Sequence, residues 1–110
     1  MSLPDWCEAE EWCPITVTSE LLGRKWHPVI IHRLLENGKG FNELQRQANG
    51  ISSKVLSESL DDLQEKDIVE KEVKKDDTKN VEYRLTEKGQ SLRPVIMEML
   101  KWGKENKENI

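Results

Sequence analysis

The sequence predicts a mainly α-helical domain that carries one small β-hairpin. Apolar residues recur at helical spacing through most of residues 14 to 66, and again from 86 to 103. After Asp67 the apolar residues instead alternate with polar ones, which is typical of strands. Between residues 41 and 63, two short helical patterns meet at Asn49-Gly50 and small polar residues follow. These observations predict two helices joined by a tight turn, with a hairpin after them.

Length and composition predict one small domain. The chain has 110 residues, of which 35% are hydrophobic and 35% are charged, so its core is lean and its surface highly charged. Such a protomer often gains stability by burying an apolar face against a second copy. No stretch approaches the roughly 20 apolar residues of a membrane span, and the acidic N-terminus is unlike a signal peptide. We therefore expect a cytoplasmic protein without membrane contact, whose cysteines are thiols.

The net charge of −4 argues against a nonspecific nucleic-acid binder. Five of the acidic residues lie in the first twenty positions, which contain no Lys or Arg. The rest of the chain holds 17 basic and 16 acidic residues and is nearly neutral. Any affinity for DNA must therefore come from local patches of positive charge.

The N-terminal part is predicted to hold an arm and two helices. Residues 1–13 form an acidic arm. Pro14 suits the first turn of a helix, which the apolar spacing continues until Gly23. A second helix is predicted from about Lys25 to Glu36, and its dense apolar content suits the centre of a small core. Pro28 fits there only in the first turn, where its missing N–H is not needed.

The next stretch predicts a helix-turn-helix. Phe41, Leu44 and Ala48 share one helical face, and Asn49-Gly50 supplies a tight turn. Ser52 or Ser53 can cap the second helix by accepting a hydrogen bond from a free N–H. The apolar positions of that second helix are Val55, Leu56, Leu60 and Leu63. The same pattern also fits an ordinary helical hairpin in a small bundle.

The alternating residues that follow favour a DNA-binding helix-turn-helix over an ordinary helical hairpin. They predict two strands joined by the polar connection 74–80, and a hairpin beside a helix-turn-helix is the wing of a winged helix. Thr86 is predicted to cap a last helix that runs to Gly103, in which Pro94 either makes a kink or lies near the start. The apolar stripe of this helix is interpreted as core or dimer interface, and residues 104–110 as a polar tail.

These motifs together resemble the HxlR-type winged helix-turn-helix regulators, relatives of the MarR-like regulators. The matching segments are Cys13-Pro14, Leu22-Gly23-Arg24-Lys25-Trp26, Phe41-Asn42-Glu43-Leu44, Gly50-Ile51-Ser52, Val55-Leu56-Ser57, Leu60 to Leu63, Asp67-Ile68-Val69, Val81 to Gly89 and Pro94-Val95. The resemblance implies a DNA-binding transcription regulator, in which residues 14–103 form the domain and the first and last helices build a homodimer. The predicted interface residues are Ile15, Leu22, Leu92, Val95, Ile96, Met99, Leu100 and Trp102.

The second helix of the motif, at about 52–66, is expected in the major groove of an operator with two-fold symmetry. The wing at about 74–80 is expected on the DNA backbone or in the minor groove. The predicted DNA contacts are Lys39, Asn42, Arg46, Ser52, Ser53, Lys54, Ser57, Lys74, Lys75, Lys79 and Arg84. Glu58 could accept a hydrogen bond from cytosine. Two departures from the family pattern remove positive charge, because Asn80 stands where Arg is common and Ser59 stands where a long polar side chain is frequent.

Cys13 and Cys7 are candidates for redox sensing. Several members of the resembled family sense oxidants or electrophiles through a cysteine at the position of Cys13. The helix that begins at Pro14 favours the reactive thiolate, whereas the acidic residues Glu10 and Glu11 disfavour it. The sequence allows an intrachain disulfide between the two cysteines or a disulfide between subunits. The alternative is that Cys13 is a half-buried thiol that packs like a small hydrophobe.

Other classes of function find little support in the sequence. It contains no nucleophile elbow, Gly-rich phosphate loop or H-E-x-x-H, so we expect neither an enzyme nor a cofactor. His27 and His32 lie about 140° apart on a helix, so a metal site with the cysteines is not expected. The sequence does not identify a small-molecule effector. The alternative function is a winged-helix dimerisation or protein-interaction module with weak or no sequence-specific DNA binding.

Overall fold

The computed structural model describes residues 13–73 and 81–108. Its elements are, in order, α1 (Pro14–Leu22), α2 (Trp26–Leu34), α3 (Phe41–Gln47), α4 (Ser53–Glu65), β1 (Val69–Val73), β2 (Val81–Leu85), α5 (Glu87–Gln90) and α6 (Arg93–Asn106). The predicted winged helix-turn-helix is confirmed, since α3 and α4 form the motif and the strands form the hairpin. Most of the predicted acidic arm and the whole connection 74–80 lie outside the described residues.

The central element is α2, which contacts α1, α3, α4, β2 and α6. Its residues Ile30, Ile31 and Leu34 are fully buried, as the dense apolar pattern predicted. Pro28 lies in the first turn, where a helix does not use its N–H. The helix ends at Leu34, earlier than predicted, and Leu35 follows as its C-cap with helical backbone angles. Every layer of the domain is therefore packed on this one helix.

The turn between α3 and α4 follows the predicted chemistry. Gly50 has a φ of 101°, a conformation that L side chains rarely adopt. The Ser52 hydroxyl caps α4 by accepting a hydrogen bond of 3.1 Å from the Val55 N–H. Leu56, Leu60 and Leu63 are buried, whereas Val55 of the same predicted apolar set is exposed. The prediction of a core position was wrong for Val55, because it lies on the flank of the buried face.

The hairpin is an antiparallel pair whose register runs from Val69 opposite Leu85 to Val73 opposite Val81. Val69 and Leu85 are buried at the base, while Val73 is exposed at the outer end. Lys39 adds a short third strand, since its backbone N–H and C=O both bond to Tyr83, at 2.9 and 2.8 Å. This bridge, which the sequence did not predict, joins the wing to the segment that enters α3.

The C-terminal part contains two helices where the sequence predicted one. Thr86 caps the short α5 by accepting a hydrogen bond from the Gly89 N–H, and α6 begins separately at Arg93. The break has a physical reason, because Pro94 has no N–H for the Gln90 carbonyl and its ring would clash with it. The alternative that Pro94 lies near a helix start is thus confirmed. The end of α6 at Asn106 lies within the predicted tail.

None of the described helices is suited to cross a membrane. Within residues 13–73 and 81–108, no helix combines the length and the apolar composition needed to cross a bilayer.

A hydrogen bond between a buried histidine and a partly buried aspartate joins α2 to α4. His27 is only 2% exposed, and its Nε2 lies 2.7 Å from Oδ2 of Asp62. The other carboxylate oxygen, Oδ1, accepts a hydrogen bond of 2.6 Å from Lys66 Nζ. The Lys66 hydrogen bond, followed by that of His27, lowers the pKa of Asp62. Asp62 is therefore partly enclosed between the two helices, whereas Asp61 beside it is exposed.

We expect Asp62→Asn to lower the free energy of unfolding by about 1 to 2 kcal/mol at pH 7, because a charged hydrogen-bond acceptor is lost. The pKa of Asp62 is lowered by folding, so its ionised form stabilises the protein above the ordinary carboxyl pKa of about 3.9. That stabilisation disappears as the pH falls through the lower folded pKa. Urea unfolding of wild type and variant between pH 7 and pH 2.5 measures the difference.

The matched control is Asp61→Asn, which changes an exposed carboxylate one position away on α4. We expect this control to follow the wild type closely at every pH. A constant gap between wild type and Asp62→Asn down to the lowest pH would contradict the role assigned to the ionised carboxylate.

Candidate nucleic-acid interface

The surface of α4 that faces away from the core is small and polar. Lys54, Ser57, Glu58 and Asp61 are exposed along it, opposite the buried leucines. None of the ion pairs between described residues includes Lys54, so its ammonium is available to a ligand. Positive charge is thus concentrated in the first turn of α4, and negative charge follows it.

Ser52 and Ser53, both predicted DNA contacts, also hold α4 against α3. The Ser52 hydroxyl caps α4, as described above. Gln45 of α3 donates from Nε2 to the Ser53 hydroxyl at 3.0 Å and reaches the Ile51 carbonyl at 3.4 Å. Both serines are exposed, but their hydroxyls already have partners within the motif. Gln45 therefore fixes the angle at which the first turn of α4 projects.

Lys39 is placed differently from the prediction. It is only 9% exposed, because its backbone is in the bridge to Tyr83. Its Nζ donates a hydrogen bond of 2.7 Å to Oδ1 of Asn37. Lys39 therefore shapes the entry to α3, and its ammonium is already hydrogen-bonded within the protein. The other two predicted contacts in this region, Asn42 and Arg46, are exposed on α3.

Acidic neighbours neutralise Arg84 on the hairpin. Its Nε lies 3.6 Å from a Glu70 carboxylate oxygen, and its guanidinium also pairs with Glu72. Both acids project from β1, and Glu70 is the register partner of Arg84. Arg84 therefore contributes less positive charge to the wing than the sequence predicted. The predicted wing contacts Lys74, Lys75 and Lys79 lie outside the described residues.

Lys71 is a basic residue that the sequence prediction missed. It is exposed on β1 opposite Tyr83, and it lines the groove between the hairpin and the start of α3. Asn42 and Glu43 line the same groove from α3. Strand alternation, which puts Lys71 on the side of Tyr83, was the signal that could have found it. Burial raises the pKa of Tyr83, which keeps its hydroxyl neutral at physiological pH.

Exposed apolar side chains also occur on α6 and on α1. Val95, Met99 and Trp102 form a stripe on α6 and are 39%, 43% and 57% exposed. On α1, Ile15 and Val17 are also exposed. An apolar surface of this kind on a small protein usually marks an interaction site. We call Val95, Met99 and Trp102 the apolar stripe.

The other predicted interface residues are more enclosed. Leu22, Leu92 and Leu100 are half-buried. Ile96 is only 3% exposed and belongs to the core of its own protomer. It lies on the side of α6 that packs against α2, so it is not available to a partner.

Cys13 lies just before α1, in the position that caps this helix. It is half-buried and disulfide-bonded, so the expectation of a thiol was wrong for this state of the protein. The second redox candidate, Cys7, lies outside the described residues. The possible metal ligands are dispersed, since no group of three or more His, Cys, Asp or Glu in the described ranges could hold a metal ion.

Comparisons with known proteins agree with this geometry. Residues 21–110 match the model of the HxlR-like helix-turn-helix. The HTH-type transcriptional regulator YdeP of Bacillus subtilis is 35% identical over 100 residues, which cover 91% of this chain and 78% of YdeP.

Two solved structures of regulators have the same fold. The redox regulator HypR in its oxidised form superposes with a TM-score of 0.80 at 34% identity, covering 86% of this chain and 97% of HypR. Quinone-bound YodB of B. subtilis superposes with a TM-score of 0.72 at 38% identity, covering 84% of this chain and 99% of YodB.

The resemblance predicted from the motifs is thereby confirmed over most of the chain. The family match spans the helix-turn-helix, the hairpin and α6, and the similarity covers 78% of YdeP and 97% of HypR. The chain belongs to the HxlR-like helix-turn-helix family of winged-helix transcription regulators.

Proposed function

We propose that this protein regulates transcription as a homodimer that places the first turn of α4 from each protomer in the major groove of an operator. The observation that carries the proposal is the exposed, ion-pair-free Lys54 at the start of a helix whose opposite face is fully buried. A helix fixed in this way can present only one side and one end to DNA.

The charges favour an approach by the N-terminal end of α4. Its N–H groups carry partial positive charge, to which Lys54 in the first turn adds a full one. Glu58 and Asp61 follow later in the helix and would be repelled by phosphates if α4 lay flat along the groove. Arg46 of α3 and Lys71 of the hairpin are exposed on the neighbouring elements and could contact the flanking backbone. The affinity of one protomer should be modest.

The apolar stripe supports a homodimer. A small protomer gains stability when Val95, Met99 and Trp102 are covered, and a second copy offers the same apolar surface. Two copies related by a two-fold axis would present two α4 helices to half-sites about 34 Å apart. Binding of both helices to one DNA molecule would multiply the modest affinities of the single protomers.

The state of Cys13 supports regulation by oxidation. The residue caps α1, and the positive end of that helix favours the reactive thiolate after reduction. Exposed Ile15 and Val17 follow it on α1, and such apolar side chains are suited to a contact with a second protomer. Forming or breaking a disulfide at Cys13 would thus change the helix that takes part in dimer contacts. HypR is a redox regulator and YodB binds quinone, which agrees with such a response.

Lys54→Ala should weaken binding to a duplex from the gene's own upstream region at least fivefold, as expected for the loss of a base or phosphate contact of about 1 kcal/mol or more. Mobility shifts at several salt concentrations measure the effect. Lys101→Ala is the control, because this exposed lysine lies on α6 away from the apolar stripe. Equal binding by wild type and Lys54→Ala would remove α4 from the interface.

The same experiment separates regulation from the alternative function. A protein-interaction module on this scaffold would show no salt-dependent binding of the wild type to any such duplex. A footprint that covers two half-sites about one helical turn apart would instead support the proposed regulator.

Trp102→Glu should convert the dimer into a monomer, because it replaces the most exposed side chain of the apolar stripe with a charged one. Light scattering coupled to gel filtration measures the molar mass. Met97→Glu is the matched control, since Met97 is 42% exposed on the other side of α6. A Trp102→Glu variant that keeps twice the protomer mass would place the dimer interface elsewhere.

Cys13→Ser should abolish the effect of an oxidant such as diamide on DNA binding, because the reactive sulfur is removed. Mobility shifts with and without the oxidant, for wild type, Cys13→Ser and Cys7→Ser, test this. If Cys13→Ser still releases DNA on oxidation, the proposed sensing role is excluded. The result for Cys7→Ser tells whether the second cysteine takes part.

A further inference from the structure

Val55 is the one aliphatic residue on α4 that the core does not use. It is 36% exposed, whereas the adjacent Leu56 is completely buried. In α3 and α4, both fully described, no other large hydrophobic side chain is exposed to this degree. The exposed residue lies in the first turn of α4, beside Lys54. This is the part of the helix that the proposed function places in the major groove.

The local structure holds Val55 in a fixed orientation. Its backbone N–H donates to the Ser52 hydroxyl, so the residue belongs to the capped first turn and not to a frayed end. A valine in a helix has one strongly preferred χ1 rotamer. Gln45 further ties this turn to α3 through Ser53. The two methyl groups of Val55 are therefore held at a defined position beside the Lys54 side chain.

We infer that Val55 determines sequence specificity by contacting the 5-methyl group of a thymine in each half-site. The inference rests on the proposed placement of α4 in the groove. Among the base edges in the major groove, thymine alone has a methyl group, and apolar side chains pack against it. Valine cannot form hydrogen bonds with the other edges, and it would cover their polar groups without replacing the lost water.

The neighbours of Val55 supply the polar part of the same recognition surface. Lys54 can donate to guanine O6 or N7, or to a phosphate. Glu58 is three positions after Val55, on an adjacent part of the exposed surface, and can accept from the amino group of cytosine. In each half-site, the protein would then recognise one thymine next to these polar contacts by shape and apolar contact alone.

Replacing thymine with 2′-deoxyuridine tests the inference, because it removes only the methyl group. A binding site is first selected from a library of random duplexes with wild-type protein. Each thymine of the selected duplex is then replaced in turn. We expect one thymine in each half-site at which the replacement weakens wild-type binding about fourfold, the value for one lost apolar methyl contact.

Val55→Ala should bind the thymine duplex about as weakly as the wild type binds the uracil duplex. It should no longer distinguish the two duplexes at that position. Lys54→Ala is the control, since it should bind more weakly overall while keeping the preference for thymine. The substitution Val55→Ala lies at an exposed helical position and favours the helix, so the variant is expected to fold. Circular dichroism and thermal unfolding verify this.

The outcomes separate this inference from the function on which it rests. If wild-type protein selects no duplex and binds none at low salt, the proposed DNA-binding function fails. If it binds a selected duplex but no thymine replacement matters, the role of Val55 is overturned while DNA binding stands. The role is also overturned if Val55→Ala keeps the full preference for thymine over uracil. Loss of that preference in Val55→Ala alone confirms it.

Discussion

The burial of Leu56, Leu60 and Leu63 in the core around α2 determines which side of α4 is exposed. Each fully buried leucine contributes about 1.5 to 3 kcal/mol, so turning α4 about its axis would cost several kcal/mol. The His27–Asp62 hydrogen bond adds a polar contact between the same two helices. Gln45 then fixes the first turn from the side of α3. The packing of one face of α4 in the core therefore also fixes which residues lie on its exposed face.

Two of the predicted DNA contacts in the part of the chain that the structure describes already have partners within the protein. Arg84 is paired with two glutamates, and Lys39 is buried on Asn37. Lys54 and Lys71 are exposed, and the net charge of the chain is −4. A protein with this charge distribution would bind nonspecific DNA poorly, since that binding depends on neutralising phosphates. Discrimination between operators would then depend on base contacts and on the simultaneous binding of two protomers.

Local features of the chain were predictable from the sequence. The cap at Ser52 or Ser53, the Gly50 turn and the hairpin each depend on residues that are close in sequence, so propensity and periodicity identify them. The His27–Asp62 pair joins residues 35 positions apart, and the Lys39–Tyr83 bridge joins two other distant segments. Patterns within one helix or strand contain no information on such pairs.

Within the candidate site, the sequence predictions failed where a residue's environment depends on other parts of the fold. Val55 was assigned to the core because periodicity treats every aliphatic residue of an amphipathic helix alike, although it lies on the flank of the buried face. Lys39 was counted as a free charge because its burial depends on a strand contact made elsewhere in the chain. For the same reason, the acidic partners of Arg84 were not expected, since they project from the neighbouring strand. The types of residue at the site were predictable, but their partners were not.

The Lys39–Tyr83 bridge has a consequence for how such a protein can diverge. The hairpin is anchored at its base by this bridge and by buried Val69 and Leu85, which lie far from the connection 74–80 along both strands. Insertions, deletions and charge changes in that connection would leave the helix-turn-helix in place. Duplicated copies of the gene could therefore acquire different DNA preferences by altering this segment alone, without a loss of folding stability.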